Sequence, residues 1–360
     1  MGSVAPLRGR EGAPRRRRLH AAAHRARGTR VVVVSPRVAI VGCGLIGQKR
    51  ARMLERGALR VACDADGGRA AALAAPYGAG ASTDWQATVA RDDVDVVIVA
   101  TSHDALAAIT AAAAEHGKHV LVEKPAARTA RELDAVRAAV GRTGAKVRVG
   151  FNHRYHRAFR QARAIVDDGG VGPLTHVRAR YGHGGRLGYE KEWRFVPAIS
   201  GGGEAIDQGM HLVDLARWFL GDFDLVAGAM PTYFWDAPVE DNAFFLLRTP
   251  CGQVASLHAS WTEWKNLFSF EIFGRTGKLE ISGLGGSYGV ERLAHYAMTP
   301  ELGPPPTTIW EYPMADDSWE AEYAAFLDDI RLDRAPDPGF EDAAAALAIV
   351  ERVYAAEGRA

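Results

Sequence analysis

Cysteine is scarce: only Cys43, Cys63 and Cys251 occur in 360 residues, far apart and with no C-x-x-C pair. That argues against a disulfide framework or a zinc site and fits a reducing, cytoplasmic compartment. No apolar run reaches the roughly 18 residues that span a membrane. An excess of one charge is also missing, with 44 Lys+Arg against 43 Asp+Glu and a net charge of +1. Bulk electrostatics therefore give no reason to expect nucleic acid or a membrane surface as partner. With 48% apolar and 24% charged residues, the composition is that of an ordinary globular chain, long enough for about two domains. The imbalance is local. Residues 1–36 hold nine arginines, Arg15 to Arg18 in succession, against the single acid Glu11. A secretory signal needs an apolar core after its basic start, and none follows, so this stretch is expected to be a disordered tail.

What is present begins at Val38. The run VAIVGCGLIG carries Gly42, Gly44 and Gly47 in G-x-G-x-x-G spacing, with Leu45 and Ile46 inside the turn. An apolar strand breaking into glycines and then a helix is how a parallel sheet presents backbone N–H groups to a dinucleotide pyrophosphate. Alone the pattern is weak. A second strand, Leu59 to Asp64, puts Asp64 22 positions after Gly42, where a carboxylate accepts hydrogen bonds from ribose hydroxyls and repels a 2′-phosphate. NAD is expected over NADP.

Strands Asp95–Ala100, His119–Val122 and Lys146–Phe151 alternate with helices Ala105–His116 and Thr129–Val140. That alternation means a doubly wound parallel sheet. Thr101 and His103 follow one strand and Glu123-Lys124-Pro125 another, all at carboxyl ends, where such sheets bind ligands. From Leu174 the period changes to two. Runs at 174–181, 244–248, 254–261, 268–273 and 278–281 are separated by turn signals and imply a largely antiparallel sheet. One face needs covering by helices; the other, carrying Trp261, Trp264 and Phe268, suggests a subunit interface. A helix over Glu204–Leu220 interrupts these strands and sets Asp207, His211 and Asp214 along one face. An acid–histidine pair on a buried helix suits proton transfer better than metal binding, since no further ligands stand at familiar spacing. The competing reading is a satisfied core histidine. Two more helices, 317–332 and 340–356, end the chain.

VAIVGCGLIG, ACDAD, VLVEKP, VGFNHRY and GGGEAIDQGMHLVD, in this order, resemble the glucose–fructose oxidoreductase/inositol dehydrogenase/MocA family over residues 37–356. The resemblance implies an α/β fold: an N-terminal Rossmann domain (37–151), then a C-terminal α+β domain (152–315) with a large, mostly antiparallel open sheet. Helices 316–360 would pack back on the first domain, and the open sheet would build a homodimer or homotetramer. It further implies a nicotinamide cofactor and oxidation of a secondary hydroxyl, or reduction of the ketone, on a sugar, cyclitol or sugar conjugate such as a nucleotide sugar or an aminoglycoside-like glycoside. An NAD-dependent glycosidase working by transient oxidation and elimination is the alternative. Lys124, Asp207 and His211 match the family's catalytic positions. Gly42, Gly44, Leu45, Ile46, Gly47, Asp64, Thr101, His103, Glu123 and Lys124 are the expected cofactor contacts. Lys124, Asn152, Arg154, Tyr181, Trp193, Asp207 and His211 are the expected substrate contacts, and no metal is required. His153 and the His156-Arg157 pair depart from the usual pattern, as does Glu204.

Overall fold

The computed structural model describes residues 35–301 and 303–358. The basic tail expected over 1–36 lies, apart from its last two residues, outside the described residues. Six parallel strands form the first sheet: β1 Val38–Val41, β2 Leu59–Cys63, β3 Gly80–Ser82, β4 Val96–Val99, β5 His119–Glu123 and β6 Val147–Gly150, in the order β3-β2-β1-β4-β5-β6. β1 and β4 are at most 3% exposed at every position, because helices cover both faces of a parallel sheet. The strand order reverses between β1 and β4, which opens a crevice at their carboxyl ends.

Eight strands form the second sheet: β7 Leu174–Gly182, β8 Leu225–Ala229, β9 Asn242–Arg248, β10 Val254–Ser260, β11 Leu267–Gly274, β12 Gly277–Ser282, β13 Glu291–Ala297 and β14 Thr307–Tyr312. Their order is β14-β13-β12-β11-β7-β10-β9-β8. Every pairing is antiparallel except β7 with β10, which run parallel. The helical excursion between β7 and β9 supplies the long crossover a parallel pair requires. β3, β8, β13 and β14 were not among the expected strands. Gly80-Ala81-Ser82 and LVAGA are too short and small to show an alternating pattern.

The inner face of this sheet packs on helices Arg157–Asp167 and Met210–Leu220. That corrects the expectation for two of the three aromatics assigned to an exposed face. Phe268 is 2% exposed, ringed by Phe159, His153 and Tyr181. Trp261 is fully buried against Tyr189 and Phe195. Trp264 is exposed, but in the loop between β10 and β11. The open face instead carries Phe244 and Leu246 near one edge and a ladder of Arg178, Glu271, Lys278 and Glu280. Helix Ser318–Arg331 returns to the first sheet, where Tyr323 and Phe326 join Val38, Ile40 and Ile98 in one apolar cluster. Its Glu322 pairs at 2.7 Å with the fully buried Arg50, which also holds Glu123 at 2.6 Å.

Candidate active site

The glycine turn is built as a cofactor cradle. A Cβ on Gly42 would lie 2.3 Å from the Ala100 carbonyl oxygen, and one on Gly47 would lie 1.9 Å from the Gly42 oxygen. Gly42 also has φ +98°, which disfavours a side chain by itself. These two glycines let the turn press against β4 and the helix against the turn. Gly44 meets nothing within 4 Å; its open face is where backbone can approach a pyrophosphate. The helix that follows, Leu45–Arg52, has no side-chain cap at Gly44, so its first N–H groups are free for an anion. Asp64 stands beside this turn. Its Oδ2 accepts the Cys43 N–H at 2.8 Å and its Oδ1 accepts the Asp66 N–H at 2.9 Å. Arg69, which the sequence reading did not single out, pairs with Oδ1 at 3.1 Å. These residues fit a dinucleotide.

Beyond the turn, a cleft of about 510 Å³ runs between the two sheets. Leu45, Ile46, Thr101, His103, Glu123 and Lys124 line its first wall, and Asn152, Tyr181, Trp193, Asp207 and His211 its second. Gly42, Gly44, Gly47 and Asp64 sit further along the sheet edge, outside this cavity. Glu123 reaches the cleft with its charge already matched by Arg50. His103 is sealed by a 2.8 Å contact between Nδ1 and the Ser200 carbonyl and packs edge-on against Trp193; burial pushes it down to about 4, so it is neutral.

The second wall depends on an irregular helix. Ala205–Gly209 forms a π-helical turn before the α-helix Met210–Leu220 starts, so Asp207, His211 and Asp214 do not form the single stripe expected of a regular helix. Asp207 does not meet His211. Its Oδ1 takes the Lys124 ammonium at 2.6 Å, its backbone oxygen takes the same ammonium at 2.8 Å, and its Oδ2 faces Arg194 Nε at 3.2 Å. Burial works against the carboxylate, but Lys124 and Arg194 outweigh it and hold the group well below the usual range. Asp214 points elsewhere, to Arg154 at 2.6 and 2.9 Å. That removes Arg154 from the expected substrate contacts: it is 5% exposed, also bound to Asp337 at 2.6 Å, and lines no part of the cleft. His211 instead lies against His153, ring centroids 3.8 Å apart and planes 30° off parallel. Burial, then Lys124 and His156, push His211 well below an ordinary imidazole.

Arg194, Glu192, Gln208, Tyr288 and Trp319 also line the cleft, as do His153 and His156. The stretch 183–194 around Arg194 carries no sequence periodicity that separates cleft from solvent. Gln208, Tyr288 and Trp319 come from three distant segments. Glu204 is fully buried, with both carboxyl oxygens unpartnered among the described residues. Burial, reinforced by the negative charge of Asp207, pushes it well above the usual carboxyl range.

Among known proteins, the chain is 29% identical over 248 residues to levoglucosan dehydrogenase of Pseudarthrobacter phenanthrenivorans, covering 61% of this chain and 64% of that one. It is 31% identical over 198 residues to inositol 2-dehydrogenase 2 of Saccharopolyspora erythraea, covering 53% and 56%. The chain thus spans less than two thirds of the length of these curated relatives. A solved levoglucosan dehydrogenase in complex with NADH and levoglucosan shares the fold, with a TM-score of 0.77 at 24% identity over 87% of this chain and 95% of that one. Residues 36–151 match the oxidoreductase family's NAD-binding Rossmann fold, and residues 159–280 match the GFO/IDH/MocA C-terminal domain. With both halves accounted for in this order, the chain belongs to the GFO/IDH/MocA oxidoreductase family.

Proposed function

We propose that this protein is an NAD-dependent dehydrogenase, or reductase in the reverse direction, acting on a secondary hydroxyl of a sugar or cyclitol. The observation that carries this reading is the convergence of Lys124, Asp207 and His211 on one cleft beside the glycine turn. A secondary alcohol must lose its O–H proton as hydride leaves the same carbon. NAD, when bound, accepts that hydride at the nicotinamide ring. His211 takes the proton as general base. Lys124, held by its ion pair with Asp207, donates a hydrogen bond to the same oxygen and stabilises its developing charge. Asp207 fixes the ammonium through two acceptors, and Arg194 fixes Asp207. In reduction the same groups act in reverse.

The far wall favours an uncharged ring. Arg186 pairs with Glu192, and Arg194 with Glu192 and Asp207, so these guanidiniums are already committed to carboxylates. A phosphate or carboxylate on the substrate would have to displace one. Tyr181, Trp193 and Tyr288 offer aromatic surface for C–H faces. The open sheet face, with Leu246 51% and Phe244 37% exposed, supports assembly of a homodimer or homotetramer, and the free thiols of Cys43, Cys63 and Cys251 support a cytoplasmic setting.

The test is NADH formation across cyclitols, hexoses, anhydrosugars and nucleotide sugars. Near-normal turnover in both Lys124→Ala and His211→Ala would sink the assignment. Turnover without net NADH accumulation, accompanied by cleavage of a glycoside, would favour the glycosidase route instead.

A further inference from the structure

One buried guanidinium beside the cleft serves two carboxylates. Arg50, in the helix after the glycine turn, donates from Nε to Glu123 Oε1 in an aligned hydrogen bond of 2.6 Å. Its Nη1 meets Glu322 Oε2 at 2.7 Å, but without hydrogen-bond alignment. Both Glu322 oxygens are left with no hydrogen-bond partner among the described residues. Arg50 and Glu322 have no exposed side-chain surface. Trp319 closes over the guanidinium, its ring centroid 4.4 Å from Arg50 Cζ. Of the three charged groups, Glu123 alone lines the cleft. One positive charge against two negative ones leaves the triad short of a cation, and the shortfall falls on Glu322, since Glu123 holds the aligned bond. An uncompensated interior charge is costly. Burial accordingly pushes Glu322 up to about 7, with the Glu123 charge adding to the rise and Arg50 and Arg148 opposing it.

We propose that the Arg50–Glu123–Glu322 triad is the counter-charge to the oxidised cofactor. It gives up a proton when it faces the cationic nicotinamide ring of NAD and keeps that proton beside the neutral ring of NADH. The inference rests on the reading of the protein as an NAD-dependent dehydrogenase. With the pyrophosphate on the glycine turn and the reacting carbon held by Lys124 and His211, the nicotinamide ring belongs on the stretch of first wall between them. Among the described residues, Glu123 is the only carboxylate of the Rossmann half that lines the cleft. An added positive charge there favours the ionised triad. The proton count closes: Glu322 passes from carboxylic acid to carboxylate, and the buffer takes the proton. When turnover reduces the cofactor, its ring loses the charge and the triad takes a proton back.

The other groups around the triad do not supply the missing charge. Arg148 on β6 is bound to Asp329, to the Tyr155 hydroxyl and, at 2.8 Å, to the Asp337 carbonyl oxygen. Asp329 takes Arg334 as a second partner at 3.0 Å. Tyr155 is pushed up to about 12, chiefly by burial, and stays protonated. Lys124 follows Glu123 in the chain but is held by Asp207. Lys49 stands over the Trp319 ring at 5.1 Å and is exposed, so water screens it.

Calorimetric titration of the wild-type protein with NAD and with NADH, in buffers of different ionisation enthalpy, counts the protons released on binding. The adenosine half is common to both ligands, so the difference between the two counts isolates the nicotinamide end. At pH 7, NAD is expected to release about 0.3 to 0.5 proton more than NADH. By linkage, the affinity for NAD relative to NADH should rise about three- to tenfold from about pH 6 to 8. It should level off above that, where Glu322 is already ionised in the free protein. Glu322→Gln keeps the shape but cannot ionise, and should remove both the extra proton and the pH dependence. Equal proton counts for NAD and NADH in the wild-type protein overturn the proposal without any variant. An undiminished difference in Glu322→Gln overturns it as well. Absence of saturable binding by either form overturns the reading of the protein as NAD-dependent, a different failure.

Discussion

One helix carries two aspartates into two ion clusters of similar length and opposite character. Asp207 meets Lys124 at 2.6 Å and Asp214 meets Arg154 at 2.6 Å. Arg154 is sealed, and its guanidinium is shared among Asp214, Asp337 and Asp342. The Lys124 cluster opens on a cleft and is flanked by groups left unsatisfied: His211 Nδ1, His153 Nε2, both Glu204 oxygens and Gln208 Oε1. Buried polar atoms are almost always paired, so a concentration of orphans on one side of a helix, and a saturated network on the other, separates a working site from a structural clamp.

The largest expected effect divides the two clusters directly. Lys124→Ala should lower kcat about 10³-fold or more, with the NAD dissociation constant changed by less than about threefold. Steady-state kinetics and calorimetric titration of NAD decide it, and turnover within tenfold of wild type would make the Lys124 pair as structural as the Arg154 one. Next, Asp214→Ala strands Arg154 as a buried, partly compensated cation and should cost about 3–5 kcal/mol in urea unfolding, with kcat per folded molecule little changed. A large kcat loss at full stability would erase the distinction.

Acid offers a third probe. His103, His153 and His211 are all pushed below an ordinary imidazole by burial, His103 from 6.5 to about 4. The native state therefore binds fewer protons than the unfolded chain between those values. The stability tied to keeping these rings neutral is complete above pH 6.5 and drains as pH falls, by about 1.4 kcal/mol per pH unit for each ring. Asp207 stays ionised across that window and does not compensate. Urea midpoints from about pH 7.5 to 5 measure this, and a flat profile would show the rings are not buried neutral. The smallest effect lies at the glycine turn. Asp64→Ala should weaken NAD about tenfold by calorimetry and narrow its advantage over NADP, with Arg69 released from Asp64 and paired only with Asp66 at 3.5 Å. A preference for NADP in the unaltered protein would reverse the reading of Asp64.

The first wall of the cleft was legible in the chain because it is made of backbone and local order. Gly42, Gly47 and Asp64 act through turn geometry that a short segment dictates, and Lys124 follows its strand directly. The second wall was legible only in part. Asp207 and His211 were found as residues, but their relation was misjudged, since a π-helical turn cannot be read from a spacing of four. Arg154 sat in a motif pointing at the site and yet turned away, because Asp214, 60 positions on, and Asp337, far beyond it, hold its guanidinium. The fold fared likewise. Strong apolar strands were visible, whereas β3, β8, β13 and β14 exist through their neighbours.

By itself the sequence determined the strand–glycine–helix start, the acid after β2, the alternation that makes a parallel sheet and the change of period that ends it. Each is a property of a few consecutive residues, where backbone sterics and burial periodicity act locally. Only the tertiary structure decided that Asp207 serves Lys124, that Asp214 locks Arg154, that Trp261 is core, and that His153 lies on His211. Those outcomes depend on which side chains distant segments bring within hydrogen-bonding reach, and on which of their polar atoms packing leaves without a partner.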